Sequence, residues 1–319
     1  MIKLLLFKSD LREPFEPLKK YCRPWLKNLK QSFGVDKSIF RYIKYYYKDR
    51  IQVELKHPYQ VKDFKKYDYI YPGTEYWTIP NVHYYKGNAT KFVKLLESIP
   101  IRKLLLPINY MLMGSDKCVQ NKLFKKIKLP VVESKCISTK LKYNNVYSQI
   151  KKMKMKNIVI KPIPGEGSHN LFKSKHHNNL FTKEYYDNVK KYNKIIVQKY
   201  MKNFASERYP EIRTYWIGNK FVLGVKTTAE GYYKSSVKRI PSVIKYHTQR
   251  LIKFIEKKYK MNFIFARIDW GYDRTKGYFF NEIEILPGMF VDYYDKEFKK
   301  RCAWNVDKLI AERLVQVIS

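Results

Sequence analysis

Acidic residues are scarce in this chain. Asp and Glu number 28 against 65 Lys and Arg, a formal net charge of +37 in 319 residues. A field of that sign draws in nucleotides, nucleic acid, acidic polypeptide or an anionic membrane surface. Lys, Tyr, Asn and Ile are abundant together, as an AT-rich genome (a viral one among the candidates) would produce, so much of the charge is also expected of a plain solvated surface. Cysteine is equally sparse. Cys22, Cys118, Cys136 and Cys302 form no CxxC pair, which argues against a disulfide framework or zinc site and for reduced thiols in a cytoplasmic setting. No run approaches the ~20 apolar residues of a membrane span. "MIKLLLF" is too short for a signal-peptide apolar region and reads as a first strand. Histidine adds little: His169 lies in a Gly-containing loop, and the His176-His177 pair is expected to be solvated.

With 45% hydrophobic and 16% aromatic residues, the chain has material for two or three compact units. Residues 1–110 are expected to form a separate α/β unit, with "IKLLLF" and "KLLLPIN" (Lys103 to Asn109) as buried strands. The order of "RYIKYYYKDR" between them is left open, local packing of its tyrosines being favoured over base stacking. A second unit begins at "GSDKCVQNKLFKKIKLP". Asp116 is placed to cap a helix whose Val119, Leu123, Phe124 and Ile127 share one face and which Pro130 ends. "NIVIKPIPGEGSHNLFK" reads as strand, loop and strand, "KIIVQKYM" as a buried strand, and "EIRTYWIGNKFVLGVKTT" as a hairpin turning at Gly218-Asn219. A helix over "SVIKYHTQRLIKFIEKKY" leads to a hairpin from Ile264 to Ile285. A helix with Leu309, Ile310, Leu314 and Val317 follows. No internal repeat is evident.

The last hairpin poses the chemical question. "YFFNEIEILPG" reads as an apolar strand but carries Glu282 and Glu284. With the turn centred between Thr275 and Lys276, Asp269 falls opposite Glu282 and Arg267 opposite Glu284, all on one face. Carboxylates about 4 Å apart repel by roughly 4 kcal/mol at an effective dielectric of 20. One arginine does not offset three of them; a divalent cation would, and oxygen-only ligands favour Mg²⁺. A surface hairpin with both glutamates in water satisfies the same alternation. Because Mg²⁺ is commonly shared with substrate phosphates, an anion-binding loop is expected upstream. Lys161 precedes "PIPGEGS", where Gly165 and Gly167 free the backbone to wrap an anion. No GxxxxGK[ST] loop is present.

Taken in order, "SDK…LPVV", "IVIKP…GEGS", "IVQKYM", "EIRTYW", "ARIDW" and "NEIEILPG" resemble the ATP-grasp superfamily over residues 111–319. The last two look closest to D-alanine–D-alanine ligases. "EIRTYWIGNKFV" is more similar to ribosomal-protein glutamate ligases and tubulin tyrosine ligases. The resemblance implies an ATP-grasp fold, α+β in its C-terminal lobe, after an N-terminal α/β pre-ATP-grasp domain. The units would be residues 1–110, a central lobe 111–196 with the phosphate loop, and a C-terminal lobe 197–319 with the metal site. Carried over by position, Lys117, Lys161 and the loop Glu166, Gly167 and Ser168 would meet the ATP phosphates. Gln198, Lys199, Tyr200 and Met201 would form the hinge at the adenine, with backbone of Lys199 and Met201 reading the base. Asp269, Glu282 and Glu284 would hold one or two Mg²⁺, and Arg267 with the Gly288 backbone would stabilise the anionic intermediate. Glu284 stands where the family more often has Asn, and Gln198 where many ligases have Glu. No N-terminal match to D-alanine-binding residues is seen, so that substrate is not expected.

The implied reaction joins a carboxylate to an amine through an acylphosphate. The substrates are unidentified, and an acidic peptide or other polyanion would suit the charge. Arg213, Lys226, Lys234 and Arg239 are candidate contacts to such a substrate. A kinase acting on an inositol phosphate, and a silent nucleic-acid-binding protein, are the alternatives from other classes.

Overall fold

A computed structural model describes residues 1–8, 35–73, 89–155, 157–163, 171–174, 181–192, 194–228, 233–237, 239–285 and 306–319. Glu166, Gly167, Ser168, His169, His176, His177 and Gly288 lie outside the described residues.

The N-terminal part holds three parallel strands, β1 (Ile2–Phe7), β2 (Ile51–Lys56) and β3 (Tyr69–Tyr71), in the order β2-β1-β3. Leu4, Leu5, Leu6 and Phe7 are all buried, as a parallel strand covered on both faces requires. Helix α1 (Val35–Tyr46) buries Ile39, Tyr42 and Ile43 at helical spacing and leaves Tyr45 and Tyr46 exposed. The tyrosine-rich segment is thus the end of an amphipathic helix. "KLLLPIN" is not a strand. Leu104 makes a single bridge to Ile70, after which Pro107 opens helix α3 (Ile108–Ser115), preceded in sequence by α2 (Ala89–Glu97). Pro100 and Pro107 bracket the segment, and between them only the three residues Leu104, Leu105 and Leu106 are buried, too short a run to extend a strand.

Helix α4 (Lys117–Lys126) starts at the expected cap: Asp116 Oδ1 accepts from the amides of Cys118 (2.8 Å) and Val119 (3.0 Å). Leu123 and Phe124 face the core, but Val119 is exposed and buried Gln120 takes the inward position. The helix stops before Pro130, at Ile127, with Lys128 left-handed (φ 53°). Cys118 and Cys136 are joined in a disulfide, correcting the expectation of free thiols at these two positions. The folded chain brings α4 against β4, a proximity that an 18-residue spacing does not announce.

Strands β4 (Ser134–Ser138), β5 (Ile158–Ile163), β6 (Phe172–Ser174) and β7 (Lys194–Lys199) form an antiparallel sheet in the order β4-β7-β5-β6. Ile158, Ile160, Ile195 and Val197 pack on α5 (Tyr143–Lys151) and α6 (Lys183–Val189) through Val146, Ile150 and Val189. On the other face Ile163 and Ile196 meet Cys118.

The second antiparallel sheet runs β10-β9-β8-β11-β12, from β8 (Glu211–Ile217), β9 (Lys220–Thr227), β10 (Tyr233–Val237), β11 (Phe265–Asp273) and β12 (Gly277–Glu284). Gly218 takes a left-handed turn (φ +55°) between β8 and β9, as the sequence predicts. Helix α7 (Ser242–Tyr259) and the C-terminal helix α8 (Val306–Ile318) join one core with Trp216, Ile268, Trp270 and Ile283. Helix α8 also meets α1, where Tyr42 donates to Glu312 Oε1 (2.8 Å). Among the described residues no helix is long and apolar enough to cross a membrane.

Candidate active site

Asp269 pairs with Glu282 and Arg267 with Glu284 across β11 and β12, as the sequence predicts. The route to that register differs. Asp273 pairs with Gly277 and Trp270 with Phe280, so the turn is centred on Thr275, not between Thr275 and Lys276. A bulge between these pairs and Asp269–Glu282 inserts Asn281 as an extra residue. Without that reset Glu282 would follow Phe280 onto the apolar, helix-covered face. With it, Phe280 packs on Phe124 and Trp270 while the two glutamates turn to the opposite face.

One oxygen from each of Asp269, Glu282 and Glu284 lies within 4.8 Å of the others. Three hard oxygen donors at this separation suit Mg²⁺. Their charge is already balanced by protein groups, however. Arg267 donates to both oxygens of Asp269 (2.9 Å each) and contacts Glu284. Lys117 Nζ lies 2.5 Å from Glu282 Oε2, and Arg213 Nε is 2.9 Å from Glu211 Oε2 and 3.8 Å from Asp269. With Lys161, four cations face four carboxylates among the described residues, so the uncompensated negative charge expected of the acids is not found there. The close approach of the ligand oxygens, not net charge, is what fits a metal.

Electrostatics order these groups. Burial works to raise the Glu282 carboxyl, but Lys117, Lys161 and Arg267 outweigh it and hold it well below the usual range. Glu211 is pushed up, first by burial and then by Asp269. Burial lowers the Lys161 ammonium, with Glu282 opposing. Arg267 stays charged because Asp269 and Glu284 overcome its burial.

Local structure aims the two lysines. Lys117 is the first residue of α4, whose cap Asp116 also accepts from Lys194 Nζ (2.7 Å) on β7. Gln120 locks the same helix to β12, donating to the Ile283 carbonyl (3.1 Å) and accepting from its amide (3.2 Å). Lys161 sits on β5 opposite Ile196, on the face that also carries Gln198. At the end of β7 the Lys199 amide donates to Glu133 O (2.9 Å) and the Tyr200 amide to Asn157 O (2.9 Å), while Met201 is half-buried.

Among the substrate candidates, Arg213 shares the acids' face. Lys226 does not: it pairs with Ile212, which alternation places on the opposite side of the sheet. Arg239 is exposed, and Lys234 lies in β10. Glu211, Asn281 and Gln120 are site residues that sequence reasoning missed. Glu211 precedes Arg213 by two on a strand, which alone puts it on Arg213's face. Gln120 shows as a polar residue three before Leu123 on a helix face that is otherwise buried.

No protein-family model matches the chain, and no curated protein matches it. Solved structures do. D-cycloserine synthetase DcsG aligns with a TM-score of 0.66 at 10% identity, over 99% of this chain and all of that one (100%). D-alanine–D-alanine ligase from Bacillus anthracis gives 0.58 at 12%, over 99% and 97%. The ATP-grasp ligase PsnB, complexed with a minimal precursor, gives 0.61 at 12%, over 99% of each chain. At these identities the likeness is one of fold. The chain has the ATP-grasp fold, as the ordered motifs imply.

Proposed function

We propose that the protein is an ATP- and Mg²⁺-dependent ligase that joins a carboxylate to an amine through an acylphosphate. The observation that carries this reading is the meeting of Asp269, Glu282 and Glu284 on one β-ribbon with Lys117 and Lys161 from α4 and β5. It is supported by the fold shared with D-alanine–D-alanine ligase and PsnB, of which B. anthracis D-alanine–D-alanine ligase has been solved with ATP and PsnB with Mg and ADP.

In this reading Asp269, Glu282 and Glu284 would hold one or two Mg²⁺, which when bound neutralise phosphate charge. Lys117 and Lys161 would contact the β- and γ-phosphates, and the Glu166, Gly167 and Ser168 loop would close over them. Gln198, the Lys199 carbonyl, Tyr200 and the Met201 amide would border the adenine. The substrate carboxylate attacks the γ-phosphorus and ADP leaves; the amine then attacks the acylphosphate carbonyl and inorganic phosphate leaves. Arg267 and the Gly288 backbone would stabilise the tetrahedral oxyanion, worth about 3–4 kcal/mol for one such donor. An acidic peptide or other polyanion is the substrate class that suits the charge, with Arg213 the candidate contact on the acids' face and exposed Arg239 a further one.

Calorimetry with AMP-PNP and Mg²⁺, followed by ATP turnover against single amino acids, acidic peptides and inositol phosphates with product masses, tests the proposal. Nucleotide uptake and release of free phosphate with a condensed product are expected. Phosphate retained on the product would make the protein a kinase, and no uptake would end the reading.

A further inference from the structure

We infer that Glu211 and Asn281 are positioning residues that fix Lys161 to receive a triphosphate, a role that rests on the ligase reading above. The geometry is a relay between the two antiparallel sheets. Lys161 Nζ, on β5 of the four-stranded sheet, donates to Asn281 Oδ1 (3.4 Å) on β12 of the five-stranded one. Asn281 Nδ2 donates in turn to Glu211 Oε1 (2.9 Å). The second Glu211 oxygen accepts from Arg213 Nε (2.9 Å) and Thr227 Oγ1 (3.3 Å).

An amide between an ammonium and a carboxylate has one orientation that satisfies both, with its NH₂ on the acid and its oxygen on the cation. Glu211 therefore sets which end of Asn281 the lysine meets. A lysine on a flexible stem carries substantial rotamer entropy, and a fixed acceptor removes part of it before phosphate arrives. Glu211 stands apart from the three carboxylates whose oxygens converge, and both of its oxygens are engaged within the protein. Asn281 is the bulge residue itself, so the extra position in β12 supplies the link.

Two readouts test this: calorimetry with Mg·AMP-PNP and with AMP, and the rate at which an amine-acylating reagent labels Lys161 without nucleotide, read by mass spectrometry. In Asn281→Ala, AMP-PNP affinity is expected to fall about tenfold, the worth of one hydrogen bond to a charged group. AMP, lacking the β- and γ-phosphates, should bind as to the wild type, which a general loss of structure would not allow. Lys161 labelling should change in the same variant. Glu211→Gln sets an amide donor against Arg213 and is expected to show the same selective loss; it decides the matter if Asn281→Ala does not fold. Wild-type AMP-PNP affinity together with wild-type Lys161 labelling would overturn the inference. A wild-type protein that takes up no AMP-PNP would sink the ligase reading, and labelling alone would then decide whether Asn281 positions Lys161.

Discussion

Lys117 and Glu282 form an ion pair, Nζ to Oε2 at 2.5 Å, between the first residue of α4 and the middle of the carboxylate cluster. The lysine thus sits on a carboxylate that a metal would bind, and the two cations compete for its charge. Lys117→Met should therefore strengthen binding of Mn²⁺ (a spectroscopic substitute for Mg²⁺) in the absence of nucleotide while weakening Mg·AMP-PNP. Removing a charge-assisted contact to phosphate costs about 1.5–3 kcal/mol, roughly ten- to a hundredfold in affinity. Electron paramagnetic resonance and calorimetry check the two directions. Parallel losses of metal and nucleotide would show that Lys117 holds the carboxylate in place and does not compete for it.

The same pair predicts a pH dependence of stability. Glu282 is held well below its ordinary value by Lys117, Lys161 and Arg267 despite burial. A carboxyl depressed in the folded state stabilises it at pH above the unfolded value of about 4.3 and loses that contribution as pH falls toward the folded value. The melting-temperature gap between wild type and Glu282→Gln should be constant from neutral pH down to about pH 5 and narrow only below pH 4. A gap that stays flat on through about pH 3 would place the carboxylate in an ordinary solvated setting, with the same affinity for protons folded and unfolded.

The Cys118–Cys136 disulfide closes a loop of 18 residues. Chain-entropy arguments assign a loop of this size about 3 kcal/mol. Reduction, or Cys136→Ser, should lower the melting temperature by several degrees, and alkylation of unreduced folded protein should leave both cysteines unlabelled by mass. Labelling of Cys136 under those conditions would show the bond to be absent.

Elements whose hydrophobic period and boundary residues agree were legible in the sequence. Helix α7 matches its sequence reading residue for residue, and the β8–β9 hairpin turns at Gly218. "KLLLPIN" departs from the expected strand because a short apolar run does not distinguish a strand from a buried connection, and Pro107 within it opens a helix. Val119 is expected inward because it is apolar, yet Gln120 takes that place because its amide satisfies backbone groups of Ile283, far away in sequence. The carboxylates and Arg267 were legible because a two-residue alternation carries them together. The Glu211–Asn281 link, the Lys117–Glu282 pair and the disulfide were not, since each depends on how separate elements pack. The register of β11 and β12 came out as expected at the site only because two departures cancel, a turn one residue shorter in phase and a bulge at Asn281.

That cancellation makes a sharp prediction. Stepping from Trp270 to Asp269 moves one residue along β11, whereas their partners Phe280 and Glu282 are two apart on β12. Deleting Asn281 would leave both pairings intact in a regular ladder, with Phe280 still against Trp270 and Glu282 still opposite Asp269. Deleting Ile283 would do the reverse: Glu284 would slip into the apolar layer that Ile283 now fills completely buried. Burying that charge without a partner costs more than about 3 kcal/mol. The Asn281 deletion should therefore fold with near-native circular dichroism and a melting temperature close to the wild type, while the Ile283 deletion should be unfolded or insoluble. If both deletions fail alike, the extra residue is needed for the course of the strand itself, not only for the side chain it presents.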